Sequence, residues 1–337
     1  MGRLQYPVAP DGSLSGPITV DCYLELYKGL RVEEAFQSDG YEIESSRENY
    51  VVISRKERWL HRLTNRETAS ERLASELRLI TGIGLKVARR LRGSGYHNLS
   101  ALLKHPRYSG RARSVQDIFS SVAWEDLVSR TAKRLGRSNP LYSLCASLVS
   151  EEDLLGIDIE TLGLSAWRDS IFLIGVTSVC GDKTLTKQFF AKSLEGEREI
   201  IREFLEWSAS KRGFVTFNGG NFDIPFITKR GHALLRAEPS SFTLLKRMSE
   251  IPNFDVLSLS RGSWNGLLQN HRLKTLEASL LGFEREDDIQ SSQVPEYYLT
   301  YLASGNAGPL IPVVRHNLTD IISTFGILAL IQQSALP

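Results

Sequence analysis

Apolar and polar positions change their period twice along the chain. Residues 1–66 are weakly patterned: GYEIESSRENYVVISRKERW alternates as a β-hairpin does, turning at Ser46 to Asn49, and ITVDCYLELYKG has the spacing of a short helix. Over 67–137 apolar residues return at helical spacing in ASERLASELRLI, GLKVARRL, LSALL and VAWEDLVSRTAKRL, which predicts a small all-helical unit. GRSNPLYS then opens a predicted linker over 138–152, because Gly136, Asn139 and Pro140 disfavour helix continuation. Over 153–333 the pattern is that of an α/β domain, with strands at LLGIDIE, IFLIGVTSV and KTLTKQFFA, a helix at GEREIIREFLEWSAS, a strand at FVTF and a helix from Asn221. This order begins a mixed sheet flanked by helices, and several α/β folds share it.

Charge sharpens this division. Residues 55–137 hold 19 Lys/Arg against 7 Asp/Glu, a net +12, whereas the rest of the chain holds 22 against 32, a net −10. The helical unit is therefore expected to meet phosphate and the α/β domain to concentrate carboxylates, unless the basic residues only solvate helix faces. The first residues, MGRLQYPVAPDGS, carry no apolar run, and no stretch approaches the roughly 18 apolar residues of a spanning helix, so a cytoplasmic protein without a membrane segment is expected. Cys22, Cys145 and Cys180 are too widely spaced for a zinc site and are expected reduced and mostly buried.

Within the basic unit, LRLITGIGLKVARRLRGSGYHNLSALL sets Gly82-Ile83-Gly84 between two helical patterns. Glycines there permit a tight turn, and the unsatisfied N–H groups opening the second helix suit a phosphate oxygen, with Lys86 and Arg89 adding charge within its first turns. The segment resembles the helix-hairpin-helix motif of DNA repair and replication proteins, with Val87, Ala88 and Leu91 as its packing side. The resemblance implies nucleic-acid binding by Gly82, Gly84, Lys86 and Arg89, though some such hairpins only pack or dock. A second, degenerate hairpin is expected in RYSGRARSVQDIFSSV.

The α/β domain carries spaced carboxylates. Asp158 and Glu160 are two apart on a strand and share a face. Two such acids on a buried strand repel each other unless a cation lies between them, and oxygen ligands suit Mg²⁺ or Mn²⁺. In FVTFNGGNFDIPFITKR a strand ends in a turn of Asn218, Gly219 and Gly220; Asn221 is placed to cap the next helix, and Asp223 falls in its first turn. In VVRHNLTDIISTFGILAL, His316 and Asp320 are four apart and share a helix face.

In this order Asp158-Ile-Glu160-Thr161, FNGGNFD and His316-x-x-x-Asp320 resemble the three exonuclease motifs of the DEDD superfamily. The middle stretch is similar to that of archaeal family B polymerase proofreading domains. FDVLSLSRGSWNG, HRLKTLEASLLGFEREDDI, VPEYYLTYL and RHNLTDIIS resemble the YprB-type RNase H-like family, from Leu154 to about Leu330. The resemblance implies an RNase H-like sheet and a two-metal nuclease, most simply a 3′-to-5′ exonuclease, acting on DNA or RNA with DNA favoured. It implies that Asp158, Glu160, Asp223 and Asp320 hold two Mg²⁺ or Mn²⁺ ions about 3.5–4 Å apart. His316 is then the general base, and Thr161, Asn218, Asn221 and Phe222 line the path of the terminal nucleotide. The family uses His with four intervening residues or Tyr with three; His316, with three, occupies the position the family gives to Tyr. Asp255 is expected to support the site without ligating metal. An endonuclease or a non-catalytic nucleic-acid-binding module of the same fold stays open.

Overall fold

The computed structural model describes residues 19–120, 124–285 and 288–336; the reading of MGRLQYPVAPDGS lies outside them. Helices α1 (Val20–Leu26) and α2 (Val32–Ser38) precede strands β1 (Glu42–Ser46) and β2 (Tyr50–Arg58). Helices α3 (Arg66–Ala74), α4 (Leu85–Gly93), α5 (Leu99–Leu102), α6 (Ser109–Ser120), α7 (Trp124–Leu135) and α8 (Pro140–Ser143) follow. Then come β3 (Leu154–Thr161), β4 (Ile171–Cys180), β5 (Lys183–Ala191), α9 (Glu197–Ser208), β6 (Gly213–Thr216) and α10 (Asp223–Leu234). They are followed by α11 (Pro239–Glu250), β7 (Asn253–Asp255), α12 (Val256–Trp264) and α13 (Leu273–Leu276), which runs into a π-turn at Glu277–Leu281. Last are α14 (Val294–Ser304) and α15 (Leu310–Ser334). None of these helices is long and apolar enough to cross a membrane.

The strands form one sheet in the order β1-β2-β5-β4-β3-β6-β7, antiparallel up to the β4–β3 pair and parallel between β3, β6 and β7. This is the mixed, helix-flanked sheet expected. β4 is buried along nearly its whole length, so its sequence IFLIGVTSVC runs apolar where a one-sided strand would alternate. In β3, Leu155, Ile157 and Ile159 point into one apolar core, while Leu154, Gly156, Asp158 and Glu160 face the other side, where α15 lies.

Two glycines set how closely α15 approaches. A Cβ on Gly156 would stand 2.7 Å from Ile321 and 2.9 Å from Phe325, and one on Gly175 would stand 1.8 Å from Asn317 Oδ1. Without side chains at these neighbouring strand positions, the helix packs directly over β3 and β4. His316, Asn317 and Asp320 thereby reach the end of β3 that carries Asp158 and Glu160.

Three expectations change. The hairpin β1–β2 forms with its turn where expected, but β2 pairs with β5 from Tyr50–Ala191 to Arg58–Lys183, so residues 42–58 extend the α/β sheet and do not stand apart. Residues 138–152 are not an exposed linker: Pro140 opens α8 behind an Asn139 cap, and Leu141, Tyr142, Leu144, Cys145 and Ala146 are buried in the core that also holds Phe254 and Phe325. The stretch read as a second hairpin is the single helix α6 as far as Ser120; residues 121–123 lie outside the described ones. Within the helical region a separate small core spans Leu77 to Val115, whereas α3 and α7 place most of their buried residues in the larger core. Of the cysteines, Cys145 is buried, Cys22 half-buried and Cys180 exposed.

Candidate active site

Asp158, Glu160, Asp223 and Asp320 come from three elements and converge beneath α15. Asp158 is half-buried on β3, and its Oδ2 accepts a 2.7 Å hydrogen bond from Asn317 Nδ2. Asn317 is held in turn by Gln188 Nε2, which donates to its Oδ1 at 2.9 Å and to the Val314 carbonyl at 2.8 Å. Glu160 is buried at the far end of the same strand face. Asp223 opens α10 and is 4% exposed; its Oδ1 accepts the Ile159 N–H at 3.0 Å, which ties the helix start to β3.

The carboxylates act on one another. Burial, then the nearby Asp320, Glu160 and Asp223, push the Asp158 carboxyl well above the usual carboxylate range. Burial, Asp320, Asp223 and Asp288 do the same to Glu160. Burial raises Asp223 to about 7, against the pull of its own N–H and that of Ile159. Ionising such a cluster without added positive charge is costly, so the donor set fits a divalent cation in kind. In arrangement it is incomplete: among the described residues no group of three or more His, Cys, Asp or Glu is gathered as a metal-ligand set. Asp320 already has a cationic partner. Arg285 Nη2 stands 2.6 Å from its Oδ1, and that oxygen is buried without a hydrogen-bond partner. The contact is an ion pair without a hydrogen bond.

His316 is 3% exposed. Its Nδ1 lies 2.7 Å from Asp288 Oδ1, and its Nε2 lies 3.3 Å from Ser291 Oγ and 3.8 Å from Asp320 Oδ2. Burial alone would lower its pKa, but the Asp288 hydrogen bond and the Asp320 charge outweigh burial and raise it. Asp288 shows the reciprocal effect: burial works against its ionisation, yet His316, Arg285 and Lys274 hold its carboxyl below the usual range. The histidine expected as a free base is thus engaged on both ring nitrogens.

The turn before α10 is clamped from below. Asp255, which caps α12, accepts the N–H groups of Asn218 at 3.1 Å and Gly220 at 3.4 Å. Asn218 adopts φ +63°, which Asn tolerates, and its Oδ1 accepts from Asn221 Nδ2 at 3.1 Å. Asn221 therefore braces the turn and does not cap α10, whose N-cap is Phe222. Thr161 Oγ1 donates to the Gly163 carbonyl at 2.7 Å. Beyond it, a loop tied by Asp169 carries Leu164 and Trp167, 88% and 77% exposed.

At the hairpin, Gly82 has φ +87° and Gly84 is the N-cap of α4, with Lys86 and Arg89 exposed and Ala88 and Leu91 buried. The element before the turn is a single 3-10 turn, Leu77–Leu79, and not a full helix. Part of the basic charge is used internally: Arg134 donates to the carbonyls of Arg78, Ile80 and Ile83, and Arg111 to that of Thr81. Lys86, Arg89, Arg90, Lys104, Arg107 and Arg113 stay exposed.

Sequence reasoning missed Asn317, Gln188, Arg285, Asp288 and Glu277. Asn317 left a signal, an amide inside an otherwise apolar helix face; Gln188 sits in a stretch that reads as an ordinary strand, and Glu277, Arg285 and Asp288 sit in a stretch noted only for its family resemblance.

A family model described as RNase_H superfamily matches residues 155–332. The chain is also similar to the uncharacterized protein YprB of Bacillus subtilis (strain 168), at 28% identity over 183 residues, covering 54% of this chain and 42% of that protein. It thus spans less than half the length of that relative. Among solved structures, it is similar to the family B DNA polymerase of the hyperthermophilic archaeon Pyrobaculum calidifontis, at TM-score 0.40 and 18% identity, over 55% of this chain and 27% of that one.

Proposed function

From the premise that the chain belongs to the RNase H superfamily, we propose that it is a metal-dependent nuclease whose active centre is the carboxylate cluster of β3, α10 and α15. The observation that carries this reading is the convergence of Asp158, Glu160, Asp223 and Asp320 where β3, the start of α10 and α15 meet, with burial as the main cause that pushes the first three carboxyls up. Such a cluster is unfavourable for folding alone and is typical of sites where chemistry sets the side chains. Asp158, Glu160, Asp223 and Asp320 would hold Mg²⁺ or Mn²⁺. Bound divalent ions supply charge on the phosphoryl oxygens and lower the pKa of a water.

The protein's own contribution is positional and acid–base. Asn317, braced by Gln188, fixes Asp158, while the Ile159 N–H fixes Asp223. His316, held at Nδ1 by Asp288, would exchange its Ser291 contact at Nε2 for the attacking water and take that water's proton there as the phosphorus–oxygen bond to the leaving nucleotide breaks. The braced turn of Asn218 and Asn221, with Phe222 and Thr161, would receive the terminal nucleotide, and exposed Leu164 and Trp167 offer apolar surface to bases. By the DEDD resemblance the attack runs from a 3′ end. Oligonucleotides blocked at both ends separate the modes: an exonuclease leaves them intact, and internal cutting makes the enzyme an endonuclease.

In this reading the helix-hairpin-helix segment supplies grip. N–H donors at the start of α4, with Lys86 and Arg89, contact only the phosphate backbone, so their contribution is independent of base sequence. Replacing both Lys86 and Arg89 with Ala is expected to weaken binding to all sequences alike. Each lost contact should also reduce the slope of log affinity against log salt by roughly 0.7 to 0.9. Affinity measured by fluorescence anisotropy at several salt concentrations checks this. An unchanged affinity and slope would make the hairpin a packing element.

A further inference from the structure

Arg285 is the one buried guanidinium at the carboxylate cluster among the described residues, and nothing in the nuclease reading uses it. Its side chain is 6% exposed. Nε and Nη2 fork onto the two oxygens of Glu277, whose side chain is 1% exposed, and Nη1 donates to Asp288 Oδ2 at 3.1 Å. The remaining reach of the fork is toward Asp320: Nη2 lies 2.6 Å from Oδ1, the carboxylate oxygen that has no hydrogen-bond partner. Its positive charge also lowers the pKa of Glu160.

Two features make this more than an ordinary ion pair. Glu277 lies in the π-turn after α13 and holds the guanidinium by two parallel bonds, so Arg285 stays in place whether or not Asp320 faces it. A guanidinium also keeps its charge at every pH a protein survives, so Asp320 leaves this partner only for a stronger cation.

We propose that Arg285 is a resident counter-ion of Asp320 that sets the affinity of the carboxylate cluster for divalent cations, an ion gaining Asp320 only in competition with the guanidinium. The proposal rests on the reading that the cluster binds Mg²⁺ or Mn²⁺. It gives a role to the cation that already neutralises one member of the set of acids. Glu277 is the anchor that keeps the competitor at hand.

The test is Mn²⁺ binding to the full chain, followed by the paramagnetic signal of free Mn²⁺, which needs no turnover. Arg285→Gln alone would leave Glu277 buried without a partner and risks misfolding, so the informative variant is Glu277→Gln/Arg285→Gln. It replaces the buried ion pair with two amides able to bond each other. Arg285→Lys keeps the charge and loses the fork. The double variant is expected to bind Mn²⁺ at least about tenfold more tightly than wild type, since the ion no longer competes with a guanidinium for Asp320. Arg285→Lys is expected to stay near wild type. Equal or weaker Mn²⁺ binding in a folded double variant overturns the inference and leaves the metal reading standing. If none of the three proteins binds Mn²⁺, both are overturned.

Discussion

Asp158→Asn is expected to remove hydrolysis, a loss beyond the roughly 10²- to 10⁴-fold that deleting a general base costs, and also to raise the melting temperature of the metal-free protein. Asp158 is half-buried among Glu160, Asp223 and Asp320, and burial and repulsion push its carboxyl up. The amide has the same shape and can still accept the Asn317 hydrogen bond, so packing persists while one negative charge disappears. The sign of the accompanying pH effect follows from Asp223, which burial, with smaller contributions from Asp255 and Asp320, pushes up. Asp223 titrates at about 7 in the fold against an ordinary value of 3.8, so the folded state binds its proton more tightly than the unfolded chain does. This contribution to stability is fully present below the ordinary carboxylate range and is lost as pH rises through about 7. Thermal melts of the metal-free protein should therefore fall in temperature from about pH 5 to pH 8, more shallowly after Asp158→Asn. A variant less stable than wild type at every pH would make Asp158 a structural residue.

The second large effect is expected at His316. His316→Ala should lose about 10²- to 10⁴-fold in turnover, and Asp288→Asn should lose less while moving the pH profile. The Asp288 hydrogen bond raises the histidine's pKa, and a general base works only when deprotonated. Turnover of wild type should therefore rise with pH through that pKa, and removing the Asp288 charge should shift the rise toward lower pH. Turnover and pH profile both unchanged in His316→Ala would leave the histidine as a packing and hydrogen-bonding element.

Much of this site was legible because its geometry is local. The period of two along LLGIDIE puts Asp158 and Glu160 on one face, and the helical period places His316 and Asp320 one turn apart; both hold. What brings the two pairs together was not legible, because it depends on Gly156 and Gly175 admitting a helix from the other end of the chain. The linker reading failed for a definable reason. Asn139 and Pro140 carry the signals of a break in a helix, and the same residues are a cap and a first-turn proline, so breaker residues alone do not distinguish a loop from a new start. The N-terminal hairpin was placed correctly along the chain but not in space, since strand pairing with β5 joins segments far apart in sequence.

Arg285 shows the same limit at the level of charge. In GFEREDDI it resembles part of a solvated charged run, and only the fold reveals that it is buried against Glu277 and Asp320. Asp255, expected to support the site, stands at the end of a short strand before a helix, where it accepts backbone N–H groups. Long-range ion pairing leaves no period in a sequence, whereas capping does.

The most direct measurement of the central claim is hydrolysis of end-labelled DNA and RNA strands by the purified chain with Mn²⁺, beside the same reactions with a chelator and with Asp223→Asn. Stepwise shortening of at least one strand with Mn²⁺, absent in both controls, is the result expected of a metal-dependent exonuclease built on these carboxylates. Shortening that survives the chelator or Asp223→Asn, or no cleavage of any strand by wild type under conditions where it binds them, would contradict it.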